Sequence, residues 1–257
     1  MPTLVERLRA AGCVFAEEEA ALLEDAATGP DLEHLVRRRV AGEPLEHLLG
    51  WAAFDGGRVL VEPGVFIPRQ RTTYLVEVAH AALTRHAGDR PGTVLDLCCG
   101  SGALGLALAR RRPGVVLHAS DLDPTAIACA TRNLTEVGGV VHHGDLDAAL
   151  PPALRGQVDV VLANVPYVPS DAVPLMPAES RDHEPVGTID GGADGLDLLR
   201  RVAAIAPTWL RPGGSVHCEV APTQVDDALA AFALAGMAGR AHHDDEREAT
   251  VVSGRAP

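Results

Sequence analysis

The stretch Thr93-Val-Leu-Asp-Leu-Cys-Cys-Gly-Ser-Gly102 decides how this chain folds. Its first half is an apolar run typical of a buried strand, and its second half is a turn with two glycines. The following residues, 102–112, are predicted to form a helix. Glycines in such a turn let a ligand approach the backbone, and the amides at the helix N-terminus face that ligand. The turn alone leaves three readings open, namely an ordinary tight turn, a nucleotide phosphate site and a dinucleotide site.

Strands and helices alternate on both sides of this turn. Helices are predicted at 72–86, 102–112, 124–137, 196–210 and 224–235, and strands at 93–97, 115–120, 140–143, 158–163 and 215–220. Arg211-Pro-Gly-Gly214 is expected to stop the helix at 196–210. Two further strands, near 237–242 and 248–253, are predicted to pair as a hairpin around His242-His243-Asp244-Asp245-Glu246. This order predicts an α/β fold with a doubly wound, seven-stranded sheet and an antiparallel edge.

The residues before the alternating region have a different pattern. Residues 1–50 repeat leucine, valine and alanine at helical spacing and predict a small helical cap. Residues 51–70 contain Asp55-Gly-Gly57 between two apolar arms, which predicts a β-hairpin that links the cap to the main domain, residues 71–257.

Composition excludes some classes of function. The formal net charge is −13, which argues against a protein that coats nucleic acid, because such binding relies on lysine and arginine. The five cysteines have no zinc-ligand spacing, and with no signal peptide in evidence their odd number predicts a reducing cytoplasm. No apolar run approaches the ~18 residues needed to span a bilayer. His142, His143 and His183 lack ligand spacing, so no metal is predicted.

Two acidic residues follow the second and third predicted strands. Asp121 comes about 20 residues after the glycine turn, where a carboxylate accepts both hydroxyls of a ribose in NAD and S-adenosylmethionine sites alike. Asp123 precedes Pro124 and is the better candidate for the helix N-cap. Asp145 is placed to accept a hydrogen bond from an adenine amine, or is a polar turn residue.

Asn164-Val165-Pro166-Tyr167 follows the buried strand 158–163. An asparagine carboxamide oxygen and a backbone carbonyl at this place can each accept one N–H of a planar nitrogen and orient it toward an electrophile. A hydride-transfer enzyme has no obvious use for such a loop, whereas an N-methyltransferase has. Residues 164–195 form a long irregular insert at the carboxyl end of a strand, which is where open α/β sheets bind ligands.

These motifs together resemble the HemK/PrmC family of protein-(glutamine) methyltransferases, which are S-adenosylmethionine-dependent class I enzymes with a Rossmann-like fold. The resemblance covers nearly the whole chain. It rests on residues 38–50, Phe66-Ile-Pro-Arg69, 96–102, Asp121, 164–167, Glu184-Pro185 and 191–197.

The resemblance implies roles for particular residues. Asn164, with the backbone of Val165 and Pro166, would hold the target amide nitrogen, Tyr167 would form a wall of the slot, and the cap would recruit a protein substrate. The expected cofactor-binding residues are Asp96, Cys98, Cys99, Gly100, Ser101, Gly102, Asp121, Leu122, Asp145, Leu146 and Asn164.

The chain departs from the family pattern at several positions, which favours a divergent paralogue. Val165 replaces the first proline of Asn-Pro-Pro-Tyr, and Cys98 replaces a glycine. Residues 68–73 lose acidic residues, and an aromatic is missing at Leu146.

The resemblance implies that the acceptor is a glutamine amide of a protein, typically in the Gly-Gly-Gln loop of a peptide-chain release factor. The alternative is a small amino-acid-like or guanidino metabolite, which the acidic residues Asp171, Glu179, Asp182 and Glu184 would suit if it were cationic. A nucleic-acid exocyclic amine and a non-enzymatic regulatory protein are weaker alternatives. No membrane partner is expected, and the sequence leaves the oligomeric state open.

Overall fold

The computed structural model describes residues 2–176, 181 and 183–257. Four short helices come first: α1 (Leu4–Ala10), α2 (Ala16–Ala26), α3 (Gly29–Val40) and α4 (Leu45–Leu49). They pack around a small apolar cluster of their own that includes Leu8, Leu23 and Val36. Glu179 and Asp182 of the acidic insert lie outside the described residues.

A two-stranded antiparallel hairpin follows, formed by β1 (Trp51–Phe54) and β2 (Gly57–Leu60). Phe54 and Val59 are buried in the same apolar cluster as the central sheet. The Asn133 side chain also accepts a hydrogen bond from the backbone N–H of Leu60 and donates to its carbonyl, both at 2.9 Å. The hairpin is therefore bonded to the main domain. That the cap recruits a substrate stays a prediction.

The main domain alternates strands and helices as predicted. Its helices are α5 (Thr73–Ala87), α6 (Ala103–Arg111), α7 (Pro124–Leu134), α8 (Asp197–Trp209) and α9 (Val225–Leu234). Its strands are β3 (Thr93–Leu97), β4 (Val116–Asp121), β5 (Val140–His143), β6 (Val158–Ala163), β7 (Leu210–Glu219), β8 (Ala238–Asp244) and β9 (Ala249–Arg255).

The seven strands form one sheet in the order β5-β4-β3-β6-β7-β9-β8. The first five strands are parallel, and β9 runs antiparallel to both of its neighbours. Apolar clusters cover both faces of the sheet. The predicted doubly wound sheet with an antiparallel edge hairpin is confirmed. The strand order reverses at β3 and β6, so the carboxyl ends of these strands lie beside a crevice of the kind that binds ligands.

The start of β7 was predicted wrongly. Arg211-Pro-Gly-Gly214 was expected to stop a helix before a strand at Ser215, but these residues already belong to β7. The pairing with β6 shifts register between Val158 and Val160, which is a bulge. Gly213 has a φ of +78°, and a Cβ at Gly214 would lie 3.0 Å from the carbonyl oxygen of Asp159. Glycines are what allow this bulge, so the same residues that look like a helix stop permit a strand.

The edge hairpin is also longer than predicted. His242, His243 and Asp244 pair with β9 and are not in the turn, which falls at residues 245–248. Polar side chains at an edge strand face solvent, and this explains why their sequence looks like a loop. Within the described residues, no helix is both long and apolar enough to cross a membrane.

Candidate active site

A cavity of about 640 Å³ lies at the carboxyl ends of β3, β4 and β6. This volume is typical of a site for a small molecule. Most of the predicted site residues line it, namely Cys98, Cys99, Gly100, Ser101, Asp121, Leu122, Asp145, Leu146, Asn164, Val165, Pro166 and Tyr167. Residues far apart in the sequence thus meet where the fold predicts that they should.

Two predicted residues of the glycine turn have structural roles instead of lining the cavity. Asp96 is buried, and its Oδ2 accepts a hydrogen bond from the backbone N–H of Gly105 at 2.8 Å, which fixes the first turn of α6. Burial raises the pKa of Asp96 to about 8. Gly102 has a φ of +77°, and a Cβ there would lie 3.1 Å from the side chain of Leu134.

The turn itself contains an unusual backbone conformation at Cys98. Its φ is +53°, a left-handed value that favours glycine. This explains why the resembling family has a glycine at this position. Burial raises the pKa of the Cys98 thiol, so the thiol is protonated at neutral pH and is a poor nucleophile.

Asp121 is held by two backbone amides. Its Oδ2 accepts from the N–H of Gly100 at 2.8 Å and its Oδ1 accepts from the N–H of Asp123 at 3.0 Å. A carboxylate has about four sites for accepting hydrogen bonds, so two amides leave capacity for two ligand hydroxyls. The predicted N-cap at Asp123 is also present, because its side chain accepts from the N–H of Thr125 at 2.6 Å.

Asp145 and Leu122 lie toward the opening of the cavity. Both oxygens of Asp145 lie within 2.9 Å of Arg201 Nη2, so this carboxylate already has a cationic partner. The predicted contact of Asp145 with an adenine amine stays a prediction. Leu122 is 66% exposed although it lines the cavity, so its apolar side chain is available to cover a flat ring.

Asn164 lines the cavity and has a side-chain acceptor without a hydrogen-bond partner. Its side-chain Oδ1 is shielded from solvent and has no hydrogen-bond partner in the part of the chain that the structure describes. Leaving a buried carbonyl oxygen unpaired costs about 1–3 kcal/mol. An unpaired acceptor at this place is what a site needs if a ligand brings the missing N–H.

The residues after Asn164 are held firmly. Val165 is 2% exposed and packs into the apolar cluster on one face of the sheet. Val168 accepts from the N–H of Gly191 at 2.8 Å, and a Cβ at Gly191 would lie 2.7 Å from the carbonyl oxygen of Pro166. Packing and close backbone contact therefore replace the rigidity that a second proline would supply at position 165.

Three residues that the sequence analysis did not assign to the site support this loop. Gln224 Nε2 donates to the carbonyl oxygens of Tyr167 at 2.8 Å and Asp194 at 2.9 Å. The Tyr167 hydroxyl donates to Glu219 Oε1 at 2.9 Å and accepts from Arg71 Nη2 at 2.6 Å. Glu219 could have been found from its pattern, because it is a charged residue at the end of the apolar strand β7, as Asp121 is in β4.

Comparison with known proteins identifies the family. A release factor glutamine methyltransferase of Streptomyces coelicolor is 40% identical over 220 residues, which are 81% of this chain and 78% of the relative. The chain belongs to the family of release factor glutamine methyltransferases. The family predicted from the motifs and its S-adenosylmethionine-dependent methyltransferase chemistry are thereby confirmed. Residues 57–178 also match the family model described as methyltransferase small domain.

Two further similarities are informative. A Streptomyces pristinaespiralis protein named 4-amino-L-phenylalanine/4-methylamino-L-phenylalanine methyltransferase is 35% identical and covers 80% of this chain and 71% of its own length. A solved T. thermophilus 16S rRNA N2 G1207 methyltransferase, in complex with AdoMet and guanosine, aligns with a TM-score of 0.57 at 24% identity, covering 80% of this chain and 50% of that chain. The latter likeness concerns the fold alone and agrees with the predicted class I methyltransferase fold.

Proposed function

We propose that this chain is a cytoplasmic enzyme that transfers a methyl group from S-adenosylmethionine to the side-chain amide nitrogen of a glutamine in a protein. Release factors are the acceptors that the names of its relatives give. The observation that carries the proposal is the unpaired Oδ1 of Asn164, a residue that lines the cavity beside the glycine turn.

The residues present fit S-adenosylmethionine. The turn at residues 98–101 provides a close backbone approach, and Asp121 has free capacity for the two ribose hydroxyls. Leu122 and Leu146 offer apolar surface for a flat ring. The cofactor, when bound, supplies an electrophilic methyl group.

The acceptor is held on the other side of the cavity. A primary amide has two N–H donors on one nitrogen. Asn164 Oδ1 accepts one of them and the backbone carbonyl of Val165 or Pro166 accepts the other. Both hydrogen bonds lie in the plane of the amide, so the free face of the nitrogen points to the electrophile. Such positioning can supply a large part of the rate. The extra proton that the nitrogen carries after methylation passes to solvent or to Asn164.

Asn164→Ala tests the proposal. We expect loss of methyl transfer while S-adenosylmethionine still binds, because the substitution removes the acceptor for the target N–H and leaves the turn and Asp121 intact. Transfer of radiolabelled methyl to a Gly-Gly-Gln peptide measures the first, and calorimetry measures the second. Wild-type turnover by the variant would disprove the role of Asn164.

A second acceptor class has one specific observation in its favour, the similarity to the 4-amino-L-phenylalanine methyltransferase. A radiolabelled-methyl assay on cell lysate, split by a small-cutoff filter, separates the two. Label retained in a protein band supports the glutamine acceptor, and label in the filtrate supports an amino-acid-like metabolite.

A further inference from the structure

Glu219 is a buried carboxylate that the proposed reaction does not use. It ends β7, is 3% exposed and lines the cavity together with Asn164 and Tyr167. Acidic side chains are almost never buried to this degree unless they are paired. Each oxygen of the Glu219 carboxylate is therefore expected to have a hydrogen-bond partner.

In the part of the chain that the structure describes, one oxygen of Glu219 is paired and the other is not. Oε1 accepts from Arg71 Nε at 3.0 Å and from the Tyr167 hydroxyl at 2.9 Å. Oε2 is shielded from solvent and finds no hydrogen-bond partner among residues 2–176, 181 and 183–257. The unpaired oxygen of a charged group is costly, and the cost is removed when a ligand donates a hydrogen bond to it.

Besides the Thr72 hydroxyl, two oxygens of described residues that line the cavity lack a hydrogen-bond partner, Asn164 Oδ1 and Glu219 Oε2. Both can only accept hydrogen bonds. In the proposed function the two N–H groups of the target amide are taken by Asn164 and by a backbone carbonyl. Glu219 Oε2 remains for a different donor.

We propose that Glu219 Oε2 binds the main-chain N–H of the methylated glutamine and so selects an acceptor that lies within a peptide. The inference rests on the proposed function and deepens it. Arg71 pairs with Glu219 and balances its negative charge. A neutral N–H therefore suits this oxygen better than the ammonium of a free amino acid, which would add a second cation beside Arg71.

The experiment compares two enzyme variants and two peptides at saturating S-adenosylmethionine. Glu219→Gln keeps an oxygen for Arg71 and Tyr167 but turns an NH₂ group toward the incoming N–H. Arg71→Gln is the matched control, because it breaks the same ion pair and leaves Oε2 in place. The peptides contain Gly-Gly-Gln, with or without a methyl group on the main-chain nitrogen of the glutamine.

We expect Glu219→Gln to raise KM for the unmodified peptide by about tenfold to a hundredfold, with a small change in kcat, as for a lost hydrogen bond to a charged group. Arg71→Gln should raise KM much less. The modified peptide should show a raised KM with the wild-type enzyme and little further rise with Glu219→Gln. Calorimetry should give the same S-adenosylmethionine affinity for all three proteins.

Three outcomes overturn the inference while the proposed function stands, provided that the wild-type enzyme methylates the peptide. The first is an unchanged KM for the unmodified peptide in Glu219→Gln. The second is a rise of KM in Arg71→Gln as large as that in Glu219→Gln. The third is a methyl group on the peptide that raises KM by the same factor in the wild type and in Glu219→Gln. A fourth outcome needs only the wild-type enzyme: if its KM for the modified peptide equals its KM for the unmodified peptide, the inference is overturned even where Glu219→Gln does not fold. If the wild type methylates 4-amino-L-phenylalanine and not the peptide, both the proposed acceptor and this inference are wrong.

Discussion

Replacing Gln224 should uncouple the acceptor loop from the segment that supports it. Gln224 is 7% exposed, and its side chain makes three hydrogen bonds. Its Nε2 donates to the carbonyl oxygens of Tyr167 and Asp194, and its Oε1 accepts from the N–H of Ala221. A Cβ on Gly195 would collide with this side chain and with the Tyr167 carbonyl, so the packing around it is close.

The magnitude follows from counting these bonds. At about 1 kcal/mol for each, Gln224→Ala should lower the free energy of unfolding by about 3 kcal/mol. For a chain of this size that corresponds to a fall in Tm of roughly 6–12 °C. Methyl transfer should fall as well, because the Asn164–Tyr167 segment loses the contact that fixes its end.

Gln224→Glu sharpens the test. This variant has the same shape and keeps the acceptor for Ala221, but it turns a carboxylate oxygen toward two carbonyl oxygens. We expect it to destabilise the protein at least as much as Gln224→Ala does. Thermal unfolding at pH 7 and radiolabelled-methyl transfer measure both effects. A Gln224→Glu protein with wild-type Tm and turnover would refute the assigned donor role of Nε2.

Three other substitutions test the rest of the site. Asp121→Ala should weaken the binding of S-adenosylmethionine at least about tenfold, because charge-assisted hydrogen bonds are lost. An unchanged affinity in calorimetry would show that Asp121 does not bind the cofactor. Cys98→Gly should be more stable than Cys98→Ala by about 1 kcal/mol, because only the latter keeps a Cβ at a φ of +53°. Equal midpoints of urea unfolding for the two variants would show that the backbone at residue 98 is not strained. The pKa of Asp96 is raised to about 8 by burial, so the folded state keeps a proton that the unfolded state loses above about pH 4. Stability should therefore fall between about pH 4 and 8 and level off above that. Asp96→Asn should flatten this decline, and an unchanged pH profile of unfolding would show that Asp96 is not its source.

The sequence predicted the fold and most of the cavity because those features depend on local patterns. Apolar runs bounded by turns mark β3, β4 and β6, and in a parallel sheet their carboxyl ends must meet at one edge. Asn164 and Asp121 follow such runs directly. Their arrival in one cavity is a consequence of topology.

The contacts of Arg71, Glu219 and Gln224 could not be predicted in the same way. Each joins segments separated by dozens of residues, and spacing along the chain gives no distance between side chains on different elements. The bulge at the start of β7 was missed for a different reason, since Arg-Pro-Gly-Gly has the local chemistry of both a helix stop and a strand irregularity.

The glycines at positions 191 and 195 restrict how this protein can evolve. Any side chain at Gly191 would press on the carbonyl oxygens of Pro166 and Gly195, and one at Gly195 would press on that of Tyr167. Val165, by contrast, points into an apolar core that accepts several shapes. Substitution is therefore tolerated at position 165 of the acceptor motif, whereas side chains at Gly191 and Gly195 are excluded, so mutational scanning for stability should find these two glycines far less tolerant than Val165.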